Sequence, residues 1–188
     1  MPQPRLHLQT HILSGWCIGN LVPGFTPRER LFCMLAAAAC DVDGLSILGG
    51  QEAWWDYHHT LGHNLAFGVL LCLALAAFST HRVLAFLAYL ALFHLHLLLD
   101  SYGSGPGWGI PYFWPFSRHA SVNPAAWAFY SWQNLTAAAV LIAWTVWIAR
   151  RDRRTPLEAV MPNLDRQLVA LLRARRPAKG ATAPRPPQ

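Results

Sequence analysis

Long runs of apolar residues constrain this chain more than any other feature, because they suit the interior of a membrane. The clearest runs are residues 65–80, 83–99 and 125–149. A bilayer core of ~30 Å takes about 20 helical residues, so the first two runs are slightly short and should end near the interface. Residues 11–22 and 31–40 are predicted to be further spanning or re-entrant helices. We therefore predict an all-α polytopic helical membrane protein with four or five hydrophobic segments.

The composition agrees with a membrane location. The 188 residues are 54% hydrophobic and 13% charged, whereas a soluble domain carries about 25% charged residues. Ten of the fifteen basic residues lie from Arg150 onward, directly after the last apolar run. A basic block in that place typically marks the cytoplasmic end of a helix rather than a nucleic-acid surface. The lipid bilayer is thus an expected partner and nucleic acid is not.

Two parts of different character are predicted along the chain. Residues 1–150 form a membrane-embedded domain, and residues 151–188 form a basic cytoplasmic tail. Within the tail, residues 163–176 have the pattern of an amphipathic interfacial helix. The proline- and alanine-rich sequence after it is predicted to be disordered. Residues 101–124, rich in glycine, proline and aromatic residues, are predicted to form an interfacial loop.

The basic residues also predict the orientation of the helices. The arginines after residue 149 should lie in the cytoplasm. If five segments alternate, the basic turns at residues 28–30 and 80–82 fall on the same side. The histidines and aspartates at the other helix ends then fall on the opposite side. The sequence therefore predicts a cytoplasmic C-terminus and a polar cluster near the outer face.

Ionisable residues at the ends of the apolar runs are the candidate functional residues. His96 and Asp100 are four residues apart, so they lie one turn from each other on one face of a helix. Aspartate in an apolar helix costs roughly 2.5–3.5 kcal/mol on insertion scales, which makes it a functional hypothesis. His58 and His63 open another apolar run, and His59 is expected to be their polar neighbour.

Two further carboxylates suggest that these residues share a metal ion. Asp41 and Asp43 follow an apolar run and point the same way if the chain is extended there. One of them could be a ligand, and the other could orient a histidine or act as a base. Zinc binds histidine nitrogen and aspartate oxygen, and catalytic sites keep one position for water. The water then has a pKa near 7 and becomes a nucleophile.

Other functions would use the same residues. His63 and His96 on neighbouring helices could be axial ligands of a haem, although carboxylates beside the iron have no obvious use. The His/Asp set could instead form a path for protons or metal ions in a transporter or channel, but such a path should continue to the inner face. A structural protein, in which the cluster only fixes helix packing, predicts no bound metal.

Taken in order, the motifs resemble those of the YdjM-like family of inner-membrane proteins. The resemblance covers roughly residues 6–150 and rests on five motifs: Thr10-His11, Asp41-Val42-Asp43, His58-His59-Thr60-Leu61-Gly62-His63-Asn64, His96-Leu97-Leu98-Leu99-Asp100 and Trp114-Pro115-Phe116-Ser117. The family has proline, arginine, threonine and serine where this chain has Cys40, His59, Gly62 and Asn64. The types of the metal-ligating residues are kept.

The resemblance implies a metal-dependent hydrolase of the bacterial inner membrane, distantly similar to zinc-dependent phospholipase C and P1-type nucleases. Those enzymes hydrolyse phosphoesters, which implies a lipid or phosphoester substrate and one or two zinc ions or another divalent metal. The metal ligands implied are His11, Asp41, His58, His63, His96 and Asp100. Asp43 is predicted to be a catalytic base or a further ligand, and Asn64 and Arg118 are predicted to bind the substrate.

Overall fold

The computed structural model describes residues 8–174, and helices make up most of this part of the chain. In chain order the elements are α1 (Leu8–Gly19), α2 (Pro27–Ala38), a 3₁₀ helix (Ala39–Gly49), α3 (Gln51–Tyr57), α4 (Leu65–Ala77), α5 (Arg82–Gly103), β1 (Gly109–Ile110), β2 (Ser121–Val122), α6 (Trp132–Asp152) and α7 (Pro162–Ala174). The two short strands pair antiparallel inside the predicted loop. The all-α prediction is confirmed.

Three helical segments of the described chain are long and apolar enough to cross a membrane. They are Pro27–Gly49, Arg82–Gly103 and Trp132–Asp152. The first is longer than the predicted run because the 3₁₀ helix continues α2 without a break. α1 and α4 are apolar but have only 12 and 13 residues. The structure therefore supports a multi-pass membrane protein with three candidate spans, fewer than the four or five segments predicted.

Side-chain caps fix where several helices begin. Thr26 and Glu29 form a capping box at α2, in which each side chain accepts a hydrogen bond from the other residue's backbone N–H. The Asn64 side chain accepts from the backbone N–H of Phe67 at the start of α4, and Ser131 caps α6 in the same way. Because α4 begins directly after Asn64, the histidines before it lie in a turn rather than in a helix.

Close packing of small residues brings the helix ends together. A side chain on Gly15 of α1 would collide with the carbonyl of Cys33 in α2, and one on Gly68 of α4 would collide with the ring of Phe93. Phe93 belongs to α5, which packs against both α2 and α4. As a result the start of α1, the end of α2 and the last turns of α5 meet at one end of the bundle.

The opposite end of the bundle involves α6 and α7. A helix is present at Pro162–Ala174, where the sequence predicts an amphipathic one, and it packs against α6. Asp165 and Val169 of α7 are buried, whereas Leu164 and Leu171 are exposed. The predicted disorder after Arg176 lies outside the described residues.

Candidate metal centre

A buried cluster of histidines and aspartates lies where the helix ends meet. Its members are His11 of α1, Asp41 and Asp43 of the 3₁₀ helix, His58, His59 and His63 of the turn before α4, and His96 and Asp100 of α5. Ligand atoms of four of these side chains lie within 4.8 Å of one another: Asp41, His63, His96 and Asp100. The structure thus brings together residues that the sequence spreads over sixty positions.

Three atoms meet at the middle of the cluster. The Nε2 atoms of His63 and His96 are 3.1 Å apart, and each lies 3.1 Å from Oδ2 of Asp100. The three side chains are at most 1% exposed. Ligands of a tetrahedral zinc ion, at ~2.0–2.1 Å from the metal, lie about 3.4 Å from each other. The observed triangle, with sides of 3.1 Å, would need to widen only slightly for the three atoms to share one such ion.

Hydrogen bonds constrain where the two histidines carry their hydrogens. Nδ1 of His96 lies 2.7 Å from the carbonyl oxygen of Ala37, which can only accept, so this nitrogen carries a hydrogen. Both nitrogens of His63 face carboxylate oxygens, Nδ1 that of Asp43 at 2.9 Å and Nε2 that of Asp100 at 3.1 Å, so either can donate. When the hydrogen of His63 is on Nδ1, both Nε2 atoms present lone pairs to each other and to the Asp100 carboxylate. Such an arrangement needs a cation between the three atoms.

A proton and a metal ion compete for these lone pairs. Burial lowers the pKa of His63, but its hydrogen bonds to the carboxylates of Asp100 and Asp43 outweigh burial and raise the pKa to about 10. The carboxylates therefore attract positive charge strongly to this point. A divalent ion would meet the same demand with more charge and with the right ligand types.

Asp41 adds a carboxylate whose oxygens have no hydrogen-bond partner among the described residues. Both of its oxygens are buried, and neither has a hydrogen bond within the described part of the chain. Oδ1 lies 3.8 Å from Nε2 of His96. A buried, uncompensated carboxylate costs several kcal/mol, and coordination of a cation would remove that cost. The two nitrogens and the carboxylate oxygens together form a donor set that zinc accepts.

His11 lies on the other side of Asp100. Its Nε2 atom is 3.1 Å from Oδ1 of Asp100, and its ring lies 4.0 Å from the ring of His96. The Nδ1 atom of His11 is buried without a hydrogen bond to any described residue. Asp100 thus faces His63 and His96 with one oxygen and His11 with the other.

Asp43 lies behind the ligand atoms. One oxygen accepts from Nδ1 of His58 at 2.9 Å, and the other accepts from Nδ1 of His63 at 2.9 Å and from the backbone N–H of Gly62 at 3.0 Å. These bonds hold the His63 ring in place, as carboxylates do behind metal-bound histidines. The geometry favours the orienting role that the sequence left open for this residue, and its role as a base stays a prediction.

His58 lies further from the ligand atoms than predicted, and its neighbour His59 lies closer to them. His58 bonds to Asp43 and stacks on Trp54 at 4.8 Å, one layer away from the ligand atoms. His59 is only 2% exposed, and its Nε2 atom lies 3.6 Å from Oδ2 of Asp100. Burial lowers the pKa of His59 to about 3, so the ring is neutral and able to bind a metal. His59, expected from the sequence to be only a polar neighbour, thus lies against Asp100, and its place between two candidate ligands was the available signal.

A cavity of about 720 Å³ lies beside the cluster and is the candidate substrate pocket. His58, Trp108 and Arg118 lie on its wall. The ring of Trp108 is 5.8 Å from the ring of His58 and 4.9 Å from that of His59. The two histidines and the tryptophan therefore form the layer between the cavity and the buried ligand atoms.

The two predicted substrate-binding residues lie in different surroundings. Arg118 is exposed on the cavity wall and makes no ion pair or hydrogen bond with another described residue. Asn64 is buried, caps α4 and donates both amide hydrogens to the carbonyls of Thr60 and Leu61. The structure leaves the guanidinium of Arg118 free for a ligand, whereas the amide of Asn64 shapes the turn that carries His63.

Comparison with known proteins identifies the family of the chain. No curated protein and no solved structure matches the chain. The model of the YdjM inner membrane protein family matches residues 6–171, a range that holds every member of the cluster and extends beyond the predicted residues 6–150 into α7. The chain therefore belongs to the YdjM family of inner membrane proteins.

Proposed function

We propose that the protein is a membrane-bound metal-dependent hydrolase that cleaves a phosphoester with metal-activated water. The observation that supports this most is the meeting of two histidine Nε2 atoms and a carboxylate oxygen at 3.1 Å from one another. A divalent ion held there would supply a water molecule with a pKa near 7, a nucleophile at neutral pH.

The residues divide into ligands and residues that position them. His63, His96 and Asp100, with the partnerless Asp41, would hold one ion. His11 and His59 each face Asp100 from other directions and are the candidates for holding a second ion beside the first. One or two zinc ions are thus the proposed cofactor, although the donor set also accepts other divalent metals.

The candidate pocket suits a phosphoester. The free guanidinium of Arg118 can hold a phosphate through two parallel hydrogen bonds. His58 lies on the pocket wall and also donates to Asp43, which orients His63. A substrate in the pocket would therefore be coupled to the metal ligands through one chain of hydrogen bonds. The membrane location favours a lipid phosphate or a lipid-linked substrate.

The same geometry argues against a haem. The Nε2 atoms of His63 and His96 are 3.1 Å apart, and their ring centroids are separated by 5.0 Å. Axial ligands of a haem lie on opposite sides of a flat macrocycle, and these two rings leave no space for one. Asp100 also fills the position beside both nitrogens.

We infer that the C-terminus is cytoplasmic and that the cluster lies near the outer face. Arg150 and Arg151 end α6, and positive charge beside a spanning helix favours the cytoplasmic side. Fusions of an alkaline phosphatase to residue 174 and to the loop at residue 119 test this orientation. Activity of the first fusion and silence of the second would reverse it.

The function is tested on the full-length protein in lipid nanodiscs. We expect bound zinc or another divalent metal in the purified protein, and hydrolysis of bis(p-nitrophenyl) phosphate or a lipid phosphate that stops on chelation and returns with metal. His96→Ala should abolish turnover. His94→Ala is the matched control, because His94 bonds to Leu90 and Tyr112 instead.

Two results would contradict the proposal. Wild-type protein without any divalent metal would remove its basis. Metal flux into liposomes that is lost in His96→Ala, without hydrolysis of any phosphoester, would favour the transport alternative.

A further inference from the structure

Two cavities of opposite character meet at Trp114, whose side chain lines both. The first is the candidate substrate pocket, with Arg118 on its wall. The second, called the α4 groove here, has a volume of about 380 Å³. It lies between Leu65, Val69 and Leu70 of α4 and Tyr112, Phe113 and Phe116 of the following loop. A cavity lined by both polar and aromatic residues and an apolar cavity therefore share a wall.

The α4 groove offers almost nothing polar to a ligand. The side chains that line it are hydrocarbon, apart from the indole of Trp114 and the hydroxyl of Tyr112. That hydroxyl is already bonded to Nε2 of His94 at 2.8 Å. Leu70 is 68% exposed and Phe116 is 90% exposed. Exposed apolar patches of this kind mark membrane contacts, so we expect the groove to be continuous with the bilayer.

The substrate pocket offers an uncompensated positive charge. Asp56 lies on the same wall as Arg118 but forms no ion pair with it within the described structure. The other side chains that the argument needs are aromatic: Trp55, Trp108 and Trp114. An anionic head beside Arg118 would thus be held by charge and would lie among rings that are typical of the membrane interface.

We propose that the two cavities bind one amphiphile, with a phosphate head at Arg118 and a single hydrocarbon chain in the α4 groove. This inference rests on the proposed function, since the amphiphile is the phosphoester substrate of the metal centre. The continuity of the groove with the bilayer argues for the chain, and the free charge of Arg118 argues for the phosphate. The chain need not leave an apolar environment, so the head group provides most of the affinity and the groove fixes the position of the molecule.

The test uses full-length protein in phosphatidylcholine nanodiscs and an alkyl phosphate with two bromine atoms on its chain. Bromine quenches nearby tryptophan, so we expect saturable quenching of tryptophan fluorescence. Trp114→Phe should remove most of the quenched signal. Arg118→Gln should raise the half-saturating concentration about tenfold or more, whereas His119→Gln, its exposed neighbour, should not change it.

The groove is tested by filling it. Val69→Phe places a ring in the groove and should lower the quenching of Trp114. Leu73→Phe is the matched control, because Leu73 is exposed on the same helix but does not line the groove. A brominated alkyl maltoside, with the same chain and no charge, should quench without saturation.

The outcomes separate this inference from the proposed function, because quenching needs neither metal nor turnover. Saturable quenching in a protein without metal would support the amphiphile site and overturn the hydrolase. An active, metal-loaded enzyme whose quenching is the same in wild type and Arg118→Gln would overturn the amphiphile site.

Discussion

Buried charges lie at both ends of α2, and the two groups are satisfied in different ways. At the first end, two guanidinium nitrogens of Arg30 bond to the two carboxylate oxygens of Glu158 at 2.6 Å each. A further nitrogen of Arg30 bonds to the carbonyl of Phe25, and the indole of Trp16 donates to Glu158. The Arg30–Glu158 pair is thus closed within the protein, and the buried carboxylate of Glu29 at the same end is held by hydrogen bonds from Thr26 and from the backbone N–H of Thr80.

At the other end of α2, the buried carboxylates of the described chain have no arginine or lysine partner, and one of them has no hydrogen bond. The carboxylates of Asp41, Asp43 and Asp100 lie among histidines, with no arginine or lysine among their ion-pair partners. Asp41 has no hydrogen bond at all in the described structure. Buried acids alone are therefore weak evidence for a metal site, since the Glu158 side chain is only 9% exposed and both of its oxygens are bonded within the protein. What distinguishes the candidate metal centre is the carboxylate of Asp41, whose oxygens have no hydrogen bond to any described residue, beside histidine nitrogens that can bind a cation.

The largest effect is expected from removing a ligand. Asp100→Asn should lower the zinc content of the purified protein about tenfold or more, because Asp100 faces four histidines of the cluster. Elemental analysis of the purified protein measures this. Asp56→Asn, an exposed aspartate outside the cluster, should keep its metal. Equal metal content in the two variants would remove the distinction between the two ends of α2.

Breaking the Arg30–Glu158 ion pair at the first end of α2 should lower the free energy of unfolding and leave the metal in place. Arg30→Met leaves Glu158 without its partner, and a broken buried ion pair typically costs about 3–5 kcal/mol. Reversible unfolding in mixed detergent micelles measures the free energy. The double variant Arg30→Met and Glu158→Leu should recover much of the loss, because no uncompensated charge then remains. Loss of metal in Arg30→Met would mean that the two ends are coupled.

A substitution of Asp43, which lies behind the ligand atoms, should lower the affinity for the metal without abolishing binding. Asp43→Asn no longer accepts equally well from both His58 and His63, so the His63 ring is held less firmly. Loss of such an orienting residue typically costs about 10–100-fold in metal affinity. Competition with a zinc chelator measures the affinity. An effect as complete as that of Asp100→Asn would instead identify Asp43 as a ligand.

The smallest effect is expected at the Thr26 cap of α2, near the Arg30–Glu158 ion pair. Thr26→Ala removes the side chain that accepts from Glu29 at the start of α2, and such a loss costs about 1 kcal/mol. Unfolding measured as for Arg30→Met gives the value, and metal content should not change. A cost as large as that of Arg30→Met would show that the cap, and not the ion pair, stabilises this end.

Helical periodicity made part of the site predictable. His96 and Asp100 lie on one face because four residues complete about one turn, and the structure places their side-chain atoms 3.1 Å apart. The directions of the two neighbouring aspartates could not be predicted in this way. Asp41 and Asp43 would point the same way in an extended chain, but they lie in a 3₁₀ helix with three residues per turn. They therefore point in different directions, one toward the ligand atoms and one behind them.

The sequence by itself determined the apolar helices, the residue types of the candidate centre and the helix ends that carry them, because hydropathy and helical spacing are local properties. The tertiary structure alone decided which histidine of an adjacent pair reaches the centre. His59 has a backbone φ of 66°, which turns its ring inward while His58 stays one layer out. That conformation depends on how the turn packs against Trp108 and Asp100, and contacts so distant along the chain leave no mark on the spacing of residues.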